Sequence, residues 1–112
     1  MADCLFCKIL DGEIPAEVIY EDNDCFAFRD INPKAPVHFL VIPRRHIENL
    51  FDAAVSDEAL LGRIQLKIPE IAIKEGLDSG FRTVLNTGPG GHQEVYHMHY
   101  HVLGGGPFTG FN

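Results

Sequence analysis

The chain reads as an α+β fold: a five-stranded antiparallel sheet with one short N-terminal helix and one long helix. Three observations predict it. Five short stretches are rich in β-branched and aromatic residues and are bounded by turn chemistry. One longer stretch carries apolar residues at helical spacing. The order β-β-β-α-β-β groups strands in runs, which places helices beside an antiparallel sheet.

Taken in order, Leu5, Phe6, Ile9 and Leu10 sit at helix-like spacing, with Asp3 as a cap and Gly12 as the stop. Val18-Ile19-Tyr20-Glu21 and Cys25-Phe26-Ala27-Phe28-Arg29 read as strands. The Asp22-Asn23-Asp24 turn between them makes a hairpin. Asp30 to Pro36 is a loop held by two prolines. His38-Phe39-Leu40-Val41-Ile42 is a buried strand closed by Pro43, and a short helical turn is expected near Ile47 to Phe51. Ser56 reads as the N-cap of the long helix. Leu60, Leu61, Ile64, Ile68, Ile71 and Ala72 form its core stripe, and Gly76 ends it. Pro69 removes a backbone donor and should kink or break that helix. Phe81 to Asn86 is the fourth strand, Thr87 to Glu94 a Gly-rich loop, and Tyr96 to Leu103 the fifth strand.

With 112 residues, 46% hydrophobic and 22% charged, the chain suits a single globular domain over residues 1–112 with a modest core. There are no repeats and no linker. A net charge of -7 argues against general affinity for nucleic acid or anionic membranes, while permitting a local phosphate pocket. No apolar run approaches the ~20 residues of a membrane span, and no basic-then-apolar leader stands at the N-terminus. The expected location is cytoplasmic. The three cysteines, Cys4, Cys7 and Cys25, are too few for a disulfide scaffold.

His97-Met98-His99-Tyr100-His101-Val102-Leu103 carries the chemistry. On a strand, side chains alternate, so the three imidazoles share one face. A lone strand histidine is usually structural. Three on one face, followed by Gly104-Gly105-Gly106, point to a site. Such a row can supply a nucleophile, a proton donor and a metal ligand or orienting group. It also suits a zinc metallohydrolase with the metal on all three imidazoles.

The run resembles the signature of the histidine-triad (HIT) family, His-φ-His-φ-His-φ-φ with φ apolar or aromatic. Val95-Tyr96 before it and Leu103-Gly104-Gly105 after it resemble the Hint branch, the nucleoside phosphoramidases. The resemblance runs from Cys4 to about Gly105 and implies a HIT-like fold and a two-fold homodimer that merges two sheets. It implies hydrolysis of purine nucleoside 5′-phosphoramidates, AMP or GMP joined to an amine or to lysine. His99 would be the nucleophile, forming a covalent nucleotidyl-histidine. A neutral imidazole suits that role if an acceptor, such as a backbone carbonyl, fixes its tautomer. His101 would contact the phosphate and assist the leaving amine, which needs a proton.

The same resemblance gives the rest of the nucleotide site. Asp30 would accept the ribose hydroxyls, because a carboxylate offers sites for two donors. Leu5, Phe6, Ile9, Phe28 and Ile31 would line the base pocket. The loop from Asn86 to Val95 would serve the phosphate and the leaving group, through Asn86, Gly91, Gln93, Glu94 and Val95. Glu94 stands where some relatives carry a small hydroxyl residue. A carboxylate repels a phosphate unless it faces the leaving amine, so Glu94 is expected to favour cationic leaving groups. Cys4-x-x-Cys7 alone is weak, but with His46 and His97 it makes a Cys2His2 set suited to structural zinc. Some HIT proteins carry zinc at these positions. The chemistry itself needs no metal. Other readings are a Fhit-like dinucleoside polyphosphate hydrolase and a nucleotide-binding interaction module.

Overall fold

The computed structural model describes residues 3–111; Met1, Ala2 and Asn112, counted above in the single domain, lie outside the described residues. Helix α1 spans Leu5–Leu10, and strands β1 (Val18–Glu21), β2 (Cys25–Arg29) and β3 (Val37–Pro43) follow. Helix α2 spans Glu58–Lys74, then β4 (Arg82–Leu85) and β5 (Tyr100–Gly104) complete the chain. The five strands form one antiparallel sheet in the order β1-β2-β3-β5-β4.

The two-residue period of the strands sorts side chains onto two faces. Cys25, Ala27, Phe39, Val41, Tyr100 and Val102 pack on one face against Ile64, Ile68, Ile71 and Ala72 of α2. Phe26, Phe28, Leu40 and Ile42 face the other way, with Phe6 of α1. His38 and His101 sit at alternate positions on this second face. The sheet thus separates a dry core from the face that carries the histidines.

Local chemistry departs from the sequence reading at several points. The N-cap of α1 is Cys4, not Asp3; its Sγ accepts the Cys7 N–H at 3.3 Å. Ser56 lies inside a 3-10 turn, Val55–Asp57, and is not the cap of α2. The buried Asp57 accepts the Ala54 N–H at 2.9 Å and pairs with Arg45. The turn after Ile47 begins at Asn49, whose backbone oxygen accepts from the N–H of Asp52 and Ala53. Pro69 does not break α2. It lies on the exposed side, as does Gln65, so the carbonyl left without a partner can be hydrated. Gly76, at φ 87°, closes α2: its N–H meets the Ile73 carbonyl, and the Leu77 N–H meets that of Ala72 at 2.9 Å. That pair of bonds is a Schellman motif, with buried Leu77 as its apolar contact.

Strand β5 begins at Tyr100, four residues later than the histidine spacing suggests. The ladders to β3 and β4 both end at Tyr100, paired with Val41 and Leu85. Pro43, further along β3, has no N–H to extend the ladder. The segment Tyr96 to His99 therefore leaves the sheet, anchored by the Met98 N–H on the Ile47 carbonyl at 2.7 Å. Its imidazoles still follow the face that β5 sets. Phe6 meets His97 at 6.0 Å and His99 at 5.1 Å between ring centres, and His99 meets His101 at 5.0 Å.

Candidate functional site

His99 is buried, and its Nδ1 lies 2.8 Å from the backbone oxygen of His97. A carbonyl only accepts, so Nδ1 carries the proton and Nε2 keeps its lone pair. The carbonyl is supplied by the departure of the chain from the sheet, since a laddered strand would turn it toward its neighbour.

His101 has a different partner. Its Nδ1 lies 2.9 Å from Nε2 of His38. The Lys34 N–H donates to Nδ1 of His38 at 3.0 Å, which puts the His38 proton on Nε2. His38 therefore donates to His101, and the His101 proton sits on its own Nε2. An Asp30 carboxylate oxygen lies 3.4 Å from Nε2 of His38 and 4.0 Å from Nδ1 of His101. The other Asp30 oxygen accepts the Asn32 N–H at 2.8 Å.

These groups line a cavity of about 500 Å³, the size of a small-molecule site. Leu5, Phe6 and Ile9 of α1 form one wall. Phe28, Asp30 and the rim residue Ile31 form another, and Asn86, Glu94 and Val95 approach from the loop side with His99 and His101. Gly91 and Gln93 stand outside this lining. Gln93 is buried and fully committed. Its Oε1 accepts from Asn49 Nδ2 at 3.0 Å and from the Gly88 N–H at 2.9 Å, and its Nε2 donates to the carbonyls of Glu48 and Val95. It pins the loop.

A second cluster lies behind His99. Cys4 Sγ is 3.4 Å and Cys7 Sγ 3.6 Å from Nδ1 of His97; His46 Nδ1 is 3.4 Å from Cys7 Sγ and 3.2 Å from Nδ1 of His97. Zinc at ~2.3 Å from sulfur and ~2.05 Å from nitrogen sets tetrahedral edges of roughly 3.6 Å and 3.3 Å. The four separations above lie close to those edges, and all four donors lie within 4.8 Å of one another. The Nε2–H of His97 donates to the Pro43 carbonyl at 2.8 Å, which fixes its Nδ1 lone pair toward the sulfurs. The donor set fits a tetrahedral metal. His97, His99 and His101 do not fall into one metal-competent group among the described residues.

The HIT domain pattern matches residues 11–108. The chain belongs to the HIT family. It is 52% identical over 104 residues to Protein HitA of Neisseria gonorrhoeae, covering 93% of this chain and 97% of that protein. A HIT family hydrolase from Legionella pneumophila superposes with a TM-score of 0.93 at 49% identity, covering 97% of this chain and 98% of that one. A histidine triad protein from Clostridium difficile gives 0.94 at 42% identity, covering 100% and 98%.

Among the lining residues of this HIT domain that the sequence pattern does not single out, two carry imidazoles. His38 reads in the sequence only as a strand residue, yet it sets the His101 tautomer. The signal available was a polar residue at the head of an otherwise apolar strand. His92, at a left-handed turn, also lines the cavity.

Burial dominates the electrostatics. It lowers the proton affinity of His38, His97 and His99, and brings His101 down to about 4. Neighbouring His99 and His38 push His101 the same way, while Asp30 opposes them. At neutral pH these imidazoles are uncharged. Burial also raises the Cys7 thiol to about 11, with Cys4 adding to the effect.

Proposed function

We propose that this HIT protein is a Hint-like hydrolase of purine nucleoside 5′-phosphoramidates, acting through a nucleotidyl-His99 intermediate. The observation that carries the reading is His99 itself: one nitrogen is tied to the His97 carbonyl, and the other bears a lone pair in a nucleotide-sized cavity. Likeness to the Legionella protein, described as a hydrolase, supports the reaction class.

His99 Nε2 attacks the α-phosphorus and displaces the amine. The P–N bond breaks as the N–P bond to His99 forms. The leaving amine departs with a proton taken up on the substrate nitrogen from solvent, because Nδ1 of His101 already accepts the His38 N–H and has no room for a second proton. The Nε2–H of His101 hydrogen-bonds the phosphate and the departing nitrogen. His38 orients that ring, and Asp30 contacts both His38 and the ribose side. Water then attacks the phosphorus, the P–N bond to His99 breaks, and the water's proton is released to solvent. The α1 side chains with Phe28 and Ile31 hold the base.

Cys4, Cys7, His46 and His97 would hold a structural zinc, which when bound clamps α1 to the segment that carries His99. That site takes no part in the transfer. The protein is further proposed to be cytoplasmic and to dimerise across a sheet edge, β1 or β4.

Turnover of an adenosine phosphoramidate tests the reading in wild type, His99→Ala and His99→Gly, with and without chelator. The expected result is turnover that survives chelation and is lost in both variants. Loss on chelation with restoration by zinc, the fold remaining intact, would favour a metallohydrolase. Preferred turnover of a dinucleoside polyphosphate would favour the Fhit-like branch.

A further inference from the structure

His92 is the sole non-glycine residue at positive φ among the described residues, at φ 60° and ψ 38°. Left-handed backbone disfavours a side chain, and six glycines elsewhere take the other positive-φ positions. Histidine is among the few residue types that tolerate this conformation, and here its ring lines the cavity. The turn is fixed independently of that ring. The N–H of His92 meets the Pro89 carbonyl, and the N–H of Gln93 meets that of Gly88, both at 3.1 Å.

Gln93 turns inward to its four partners. Its neighbours on either side, His92 and Glu94, both line the cavity. Nε2 of His92 lies 3.2 Å from Oε1 of Glu94. The other charged groups of the lining have their own contacts. Arg29 meets Glu17 and Glu75, Lys34 meets the Asn32 carbonyl, and Asp30 faces the histidines. Glu94 also borders a neighbouring cavity with Val95 and Leu5, beside Asp3 and Glu48.

We propose that His92 is a positioning residue that holds Glu94 at the border of the two cavities, where Glu94 selects leaving groups carrying a distal cation. This rests on the phosphoramidase reading for the identity of the leaving group, and it extends the role of Glu94 to a second residue. The His92 ring stands against one oxygen of the Glu94 carboxylate, both side chains being largely exposed, and leaves the other oxygen for the substrate. Without that restraint, an exposed glutamate samples many rotamers and loses part of its attraction for the cation.

Two adenosine phosphoramidates test it, one of hexylamine and one of hexamethylenediamine. They share chain length and the P–N bond and differ in one distal ammonium. Dissociation constants are measured in a His99→Gly background, so that binding is read without chemistry. Turnover is measured separately in wild type. The charged adduct is expected to bind roughly threefold more tightly at low salt, with the ratio approaching about one near ~1 M salt. Glu94→Gln should bring the ratio to about one. His92→Gly should lower it, and His92→Asn should restore it, since Asn tolerates the left-handed turn and can donate to Glu94. A purely structural role for His92 would shift both adducts equally. Equal binding of the two adducts, or a ratio that survives Glu94→Gln, overturns the proposal. Absence of turnover in wild type with the binding ratio intact overturns the phosphoramidase reading and supports the Glu94 contact.

Discussion

The two faces of one sheet do different work with the same strands. On the α2 face, alternate residues of β2, β3 and β5 meet an isoleucine stripe and carry no titratable group in contact with the site. On the α1 face, the intervening residues are Phe28, Leu40, His38 and His101, and the layer above is a helix of six residues. The first face can be packed to crystal-like density because nothing enters it. The second must remain open, so its helix relies on Phe6 and on the Cys4 and Cys7 cluster. Such a short helix has no stability of its own. Stability and chemistry are thereby separated across a single layer of backbone.

The largest effect should come from the open face. His99→Gly should reduce kcat by at least about 10⁴-fold, equivalent to about 5.5 kcal/mol of barrier, with little change in thermal midpoint. Steady-state kinetics beside calorimetry checks both halves. Ile64→Ala, on the closed face, should do the reverse. Its fully buried side chain leaves a cavity costing roughly 2–5 kcal/mol of stability, seen in urea unfolding, while kcat of the folded fraction holds. If either variant moved both quantities together, the separation would fail.

Acid should also act through the open face. His38, His99 and His101 bind protons less readily when folded than when unfolded, so their contribution is fully present above about 6.5. It is lost as pH falls toward about 4, where His101 titrates. The depression of His101 alone corresponds to roughly 3 kcal/mol. Unfolding free energies between these limits should fall steeply in wild type and less steeply in His101→Gln. A smaller effect is expected from His38→Gln. Loss of the imidazole that orients His101 should cost about 10²-fold in kcat for an amine leaving group, and less for a leaving group that needs no proton. Smallest of all, Leu66→Ala on the exposed side of α2 should stay within about 0.5 kcal/mol of wild type in stability.

Most of the closed face was legible in the sequence. The stripe from Leu60 to Ala72 has a helical period, and Ile64, Ile68, Ile71 and Ala72 are buried as that period requires. The strands were legible for the same reason, since period two is a local property. What the sequence did not carry was pairing. The start of β5 depends on where β3 and β4 stop offering partners, and the His97 carbonyl that orients His99 exists because the ladder ends at Tyr100. The contact between His38 and His101 depends on a register that pairs Leu40 with His101 across two strands far apart in the chain. The cap of α1 by Cys4 and the tie from Asp57 back to the Ala54 N–H were hidden by competing candidates next to them, Asp3 and Ser56.

A covalent nucleotidyl-His99 is best tested by the stereochemical course at phosphorus. A phosphoramidate made chiral by sulfur substitution is hydrolysed in isotopically labelled water, and the configuration of the nucleotide product is determined. Each in-line displacement inverts the centre. Attack by His99 followed by attack of water should therefore give overall retention. Inversion would mean a single direct displacement by water and would remove His99 from the role of nucleophile.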